Sequence, residues 1–202
     1  MYFAVHHLNF SGNGNIQDEN YDFATETTAD EVTLRMGSSN YLHKAKLDVD
    51  ATVNIDNANS KYTLKDNSFG LNDLVLGLDG WLQMVGDDIN MDLSFDTKRN
   101  TFGNILSMVP GMYTADFGDM KTDGSFTLNG MAKGTYNANR LPAFNVNMSA
   151  SNGYFQYPDL PESVKDINFD LKVACPDGNI DNLKINFPSF MPLWAKRPSM
   201  PN

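Results

Sequence analysis

Three histidines, one cysteine and a surplus of aspartates are the side chains in this 202-residue sequence that could do chemistry. A metal or general-base site needs imidazoles that converge. His6 and His7 are neighbours, whose side chains leave an extended backbone on opposite faces, and His43 lies far from both in sequence. Paired carboxylates could serve glycoside hydrolysis, where two carboxyl groups flank the bond at a set separation. Asp48/Asp50 and Asp92/Asp96 are such same-face neighbours, but 21 Asp recur along the polar stretches and produce pairs by number alone. A solvated face accounts for them better. Asp116, Asp119 and Asp123-Gly124 miss the spacing of a calcium loop, and Gly12-Asn13-Gly14 lacks the third glycine of a dinucleotide fingerprint. There is no Gly-x-Ser-x-Gly elbow. Cys175, being single, can build neither an internal disulfide nor a cysteine zinc site, and reads as a small apolar residue at a strand end. The expectation is a chain with no catalytic residue, no metal ligand and no cofactor, and hence no enzyme.

The elements that carry these residues are legible from composition and period. Lys and Arg total 15 against 25 Asp and Glu, a formal net charge of −10. That balance argues against a nucleic-acid partner, whose phosphates need clustered cations. There are 21 Asp but 4 Glu, and 24 Asn but 3 Gln. Asp and Asn favour turns and caps where Glu and Gln suit helix interiors, so a helical bundle is excluded and a β-rich chain expected. With 41% hydrophobic and 20% charged residues the composition is that of a folded chain. No run reaches the roughly 20 apolar residues that span a bilayer. Met1 to Phe10 lacks the basic start and long apolar core of a signal peptide and reads as a strand, so any export signal or anchor is expected upstream of it.

The strongest period-two signal runs over 41–56. Tyr41, His43, Ala45, Leu47, Val49, Ala51, Val53 and Ile55 share one parity, while the other is polar apart from Leu42. At about 3.3 Å per residue this predicts a strand of roughly 50 Å, well beyond the usual length. The same alternation places Val32, Leu34 and Met36 on one face, then Ile89, Met91, Leu93 and Phe95, then Phe144, Val146, Met148 and Ala150. Ile167, Phe169, Leu171 and Val173 follow, and after them Leu183, Ile185 and Phe187. Turn clusters at 11–15, 56–60, 86–88, 151–153 and 176–179 separate the strands, which predicts an antiparallel meander with one apolar and one polar face. Glycines 70, 77, 80 and 86 in the more apolar stretch 69–84 suit a curved sheet. Phe102, Ile105, Leu106 and Val109 have helical spacing before Pro110-Gly111, so a short helix is expected over 101–109, able to plug one end of the apolar face. Tyr113, Phe117 and Met120 extend that spacing. Four prolines in 187–202 predict an extended, poorly ordered tail after a folded segment 1–186.

Several phrases together resemble one family. They are Asn-Gly-Tyr-Phe-Gln-Tyr-Pro-Asp-Leu-Pro at 152–161, Val-Lys-Asp-Ile-Asn-Phe-Asp-Leu at 164–171 and Cys-Pro-Asp-Gly-Asn at 175–179. Upstream lie Phe-Gly-Asn-Ile-Leu-Ser-Met-Val-Pro at 102–110, Gly-Ser-Phe-Thr-Leu-Asn-Gly at 124–130 and Lys-Gly-Thr-Tyr at 133–136. Their order and spacing resemble the C-terminal region of AsmA-family proteins of the Bacteroides type, themselves similar to the TamB-type bridge proteins of Gram-negative envelopes. The resemblance covers about 1–185. It implies an all-β fold, a long antiparallel meander curved into an open apolar groove. It also implies a periplasmic location, inner-membrane anchoring by an upstream helix that this chain does not include, and a part in phospholipid transport to, and assembly of, the outer membrane. The implied partners are phospholipid acyl chains, other segments of a longer protein and envelope proteins. The groove lining expected on the apolar parity is Leu47, Val49, Val53, Ile55, Ile89, Met91, Leu93, Phe95, Val146, Met148, Phe169 and Leu171.

Two other readings share the alternation. The same residues could bury one another in a closed β-sandwich or solenoid, an adhesin or glycan-binding module with Tyr154, Phe155 and Tyr157 as an aromatic platform. A purely structural envelope scaffold is the other. Alternation alone favours the closed core, and the resemblance reverses that preference; an open trough against a filled core is the observation that separates them.

Overall fold

The computed structural model describes residues 1–37, 39–108, 120–156 and 162–190, the last three by backbone alone. The strands are β1 (Tyr2–His6), β2 (Asn9–Gly14), β3 (Asn20–Met36), β4 (Ser39–Asp56), β5 (Lys61–Leu71) and β6 (Leu74–Val85). After them come β7 (Asp88–Thr97), the helix α1 (Phe102–Leu106), β8 (Lys121–Tyr136), β9 (Ala143–Gln156), β10 (Val164–Cys175) and β11 (Lys184–Phe190). All 11 strands form one antiparallel sheet in the order β1-β3-β4-β5-β6-β7-β8-β9-β10-β11, with β2 beside β1 along the same edge of β3. The sheet does not close, so its edges are β1/β2 and β11. The expected all-β meander is the fold, and the closed sandwich is not.

Strand length follows from uninterrupted alternation. β4 has 18 residues, about 60 Å of extended chain. β3 matches it with 17, pairing Asn20 with Asp56 at one end and Met36 with Ser39 at the other. Short turns at 57–60 and 86–87 lie within their predicted clusters. Two other clusters are not turns. Residues 11–14 lie in β2, and 151–153 lie inside β9, where Asn152 at φ 52° makes a bulge and the strand continues. β11 also passes the expected boundary at 186. Asp170 pairs with Ser189 and Lys172 with Asn186, so Pro188 falls at a register shift on an edge strand, where its missing N–H costs no ladder bond. The remainder of the proline-rich segment, 191–202, lies outside the described residues, as do Val109 to Asp119, with Tyr113, Asp116 and Phe117 among them, and Tyr157 to Pro161.

α1 bears out the helical stripe for Phe102, Ile105 and Leu106. It lies across one end of the apolar face, where Phe102 is buried against Phe126 and Ala150, ringed by Leu128, Met148, Phe155, Ile167 and Phe169. Gly153 makes room, because a Cβ there would come within 3.1 Å of the Phe102 ring and 3.0 Å of Ile167. The far end of α1 is tied to the β5–β6 turn: Asn72 Nδ2 donates to the Ser107 carbonyl at 2.7 Å, and the Asp73 amide donates to Ser107 Oγ at 3.1 Å. Elsewhere the core is thin. Among the described residues, four of the nine buried hydrophobic residues are alanines, and the largest side chains below 2% exposure are Phe126 and Cys175.

Candidate functional site

Directly paired residues of an antiparallel ladder point to the same face, so register alone maps the apolar surface. One row can be followed across eight strands: Phe23, Val53, Leu64, Gly80, Leu93, Ala132, Phe144 and Cys175. A second runs from Tyr21 through Ile55, Tyr62 and Leu82 to Met91. A third joins Leu78, Phe95, Gly130, Val146, Val173 and Ile185. Nearer α1, Leu128 pairs with Met148 and Met148 with Leu171, while Ala150 pairs with Phe169.

All twelve residues expected on the sequence parity fall on this one face. Leu47, Val49, Val53 and Ile55 come from β4, and Ile89, Met91, Leu93 and Phe95 from β7. Val146 and Met148 come from β9, and Phe169 and Leu171 from β10. Every one is half-buried, screened by its neighbours along and across the strands. At the end away from α1 the face opens, with Met84 and Tyr136, the partners of Ile89, 50% and 43% exposed.

Two features change the expected apolar parity. Tyr41 and His43 leave it. Val32 pairs with Ala45 and Leu34 with Leu42, so a bulge at Lys44 (φ 51°) inverts the parity, exposes Tyr41 and His43, and turns Leu42 inward. β5 joins it by the same device. Tyr62 and Leu64 are even-numbered and Phe69 odd, yet all face the trough, because the extra residue near Asp66 (φ 37°) shifts the register between Thr52–Lys65 and Asp50–Ser68. Asn67 is buried at this bulge and stands in for a peptide unit. Its Oδ1 accepts the Leu78 amide at 2.7 Å and its Nδ2 donates to the Leu78 carbonyl. Phe95 lies over Gly130, where a Cβ would come within 2.8 Å of its ring, so the glycine gives the aromatic a place in the trough floor.

The other face is a polar ladder. Asn54 Nδ2 donates to Asn20 Oδ1 and Asp22 Oδ1, both at 2.8 Å, and Lys65 Nζ reaches Asp22 at 3.0 Å. The hydrogen bond from Asn54, with that from Lys65, holds the Asp22 carboxyl below the usual carboxylate range. Asp56 and Asp177 are lowered in the same way by Asn59 and by the Asn179 amide in their hairpin turns. Of the carboxylate pairs, Asp92 is bound to Lys133 at 2.7 Å, and Asp48 and Asp50 line a polar-face cavity of about 680 Å³ with Lys46 and Arg99. Cys175 is fully buried at the end of β10, its Sγ–H donating to the Asn179 carbonyl. Tyr154 and Phe155 are split: the Tyr154 hydroxyl bonds Gln156 at 3.0 Å, whereas Phe155 packs beneath α1, and Tyr157 lies outside the described residues. Among the described residues no group of three or more His, Cys, Asp or Glu is placed to hold a metal ion, and no helix is long and apolar enough to cross a membrane.

No family model, curated protein or solved structure matches the chain.

Proposed function

We propose that the chain is a non-enzymatic segment of a Gram-negative envelope protein whose trough shields phospholipid acyl chains on their way to the outer membrane. The observation that carries this reading is the single apolar face, continuous by register from β3 to β10 in a sheet that does not close. A chain of about sixteen carbons leaving water gains on the order of 10 kcal/mol gross at about 0.8 kcal/mol per CH₂. Rows of Leu, Val, Ile, Met and Phe offer many equivalent positions, which favours sliding over one tight site, and Met91 and Met148 adapt to irregular partners. The headgroup stays in water at the open margin. The resemblance to AsmA-family proteins supports the same reading, with a periplasmic location and an anchor contributed by other parts of a longer protein. The separation of Tyr154 from Phe155 weighs against an aromatic glycan platform.

Native mass spectrometry of the purified chain tests the proposal directly, with co-purifying phospholipid as the expected result. Val49→Asp and Met91→Asp place a carboxylate on the half-buried trough wall and should reduce captured lipid by at least about tenfold, while circular dichroism keeps its strand signal. Protein free of lipid after gentle purification and after incubation with phospholipid vesicles would sink the reading.

A further inference from the structure

The acids of this chain are unevenly placed. Neither 1–17 nor 32–47 contains a single Asp or Glu, in a sequence that carries 25. The sheet lays β1, the start of the first run, beside the start of the second, since β1 pairs Tyr2 with Arg35 and His6 with Glu31, and β3 pairs Arg35 with Asn40. Their shared corner holds a cavity of about 590 Å³ lined by Tyr2, His6, Arg35, His43 and Lys44, with Glu31 the acid among its lining residues. Glu31 is engaged by Lys44 at 3.1 Å, and the Arg35 guanidinium stands 5.4 Å above the Tyr2 ring with no carboxylate partner among the described residues. Large apolar side chains at this edge are exposed on both faces of the sheet: Tyr2, paired with Arg35 on the cationic face, is 50% exposed, and Phe3 (60%), paired with Leu34, and Met36 (50%) leave from the other face, with Tyr41 58% exposed at the end of β4.

Exposed aromatic and aliphatic groups mixed with cations make an unfavourable free surface, but they match the boundary of a bilayer. Amphipathic rings settle at headgroup depth, and Lys and Arg are drawn to anionic lipid. The net charge of −10 strengthens the match, because the remaining surface is repelled by an anionic membrane and turns this corner towards it. A nucleic acid would need more cations and would leave the apolar groups unused. We propose that the corner formed by β1 and the adjoining ends of β3 and β4 seats edge-on on an anionic bilayer surface. Tyr2, Phe3, Met36 and Tyr41 lie in the headgroup layer, and Arg35 and Lys44 lie against lipid phosphates. The proposal does not depend on the trough carrying lipid.

Cosedimentation of the 202-residue chain with phosphatidylcholine vesicles, with and without phosphatidylglycerol, tests it. Binding should be at least about tenfold stronger to the anionic vesicles and weaken as salt is added. Arg35→Glu with Lys44→Gln should lower that binding by at least about tenfold, and Met36→Ser with Tyr41→Ser should also lower it. Lys133→Gln, removing a cation on β8 far from the corner, should leave it unchanged. The salt titration of the unaltered chain stands even where a double variant folds poorly. Equal binding to neutral vesicles, binding to neither, or indifference to the corner substitutions would overturn the proposal. A dimer in the absence of vesicles that the same substitutions disrupt would assign the corner to a second copy and overturn it as well.

Discussion

At the scale of single residues, the trough depends on a few positions where the backbone leaves strict alternation. Asn67 is the clearest. Its side-chain amide satisfies both the N–H and the C=O of Leu78 across a gap in the β5–β6 ladder, and Lys98 Nζ, just past the end of β7, donates to the Asn67 backbone carbonyl. Asn67→Ala would leave two ladder groups of Leu78 without partners in a site that is 4% exposed. The expected loss is about 2–6 kcal/mol, given roughly 1–3 kcal/mol for each buried group left unpaired. Urea unfolding measures it, and a loss below about 0.5 kcal/mol would mean that water or a slipped register replaces both bonds. The sequence around Asn67, Lys-Asp-Asn-Ser at 65–68, carries turn-forming types, and composition cannot tell a turn from a bulge that keeps the strand going. The parity inversion at Lys44 is hidden for the same reason. Only pairing with β3 reveals that Leu42, the one apolar residue on the polar parity, belongs inside and that His43 does not.

Individual elements were legible in proportion to the purity of their pattern. β4, β7, β9 and β10 alternate cleanly over most of their length, so their inward residues could be named before any coordinates. The first half of β3 could not be, since Thr25, Thr27 and Ala29 occupy the inward positions opposite Ala51, Val49 and Leu47, and small or hydroxylated residues give a weak hydrophobic signal. α1 was legible as a stripe, but its purpose was not. Five residues cannot hold a helix in isolation, so α1 persists through Phe102 and through its two bonds to the β5–β6 turn. Phe102→Ala should therefore cost about 3–5 kcal/mol, the range for emptying a buried aromatic site. It should also release the end of the trough. Amide exchange at 125–128 of β8 and in the Ala150 region of β9 would speed up, while the β3–β4 pairs stay protected. Equal acceleration throughout the sheet would show that α1 nucleates the whole fold and does not merely close one end.

For the whole molecule, the open sheet sets how stability is distributed. A sandwich buries its inner faces against each other and unfolds as one unit. Here, among the described residues, strands meet chiefly their neighbours in the ladder, and the buried cluster of Phe102, Phe126 and Ala150 sits under α1 towards one side. Stability is then close to a sum of strand–strand interfaces, as in a repeat protein, each made of cross-strand pairs worth about 0.2–1 kcal/mol. Alternation along one chain cannot reveal this, because a sandwich half and a trough wall have the same period and differ only in what lies above them. The consequence is measurable by hydrogen exchange. Edge strands β1, β2 and β11 should exchange at least about a hundredfold faster than β8 and β9, with a graded series between, since local openings range from almost no cost up to the global free energy. Lipid in the trough would add contacts along its width of about 34 Å from β3 to β10 and should flatten that gradient, protecting β4 to β7 more than the region already covered by α1. Uniform protection without lipid would point to a cooperative, closed core in solution. A gradient that added phospholipid leaves untouched would mean that the apolar face is occupied by something other than acyl chains.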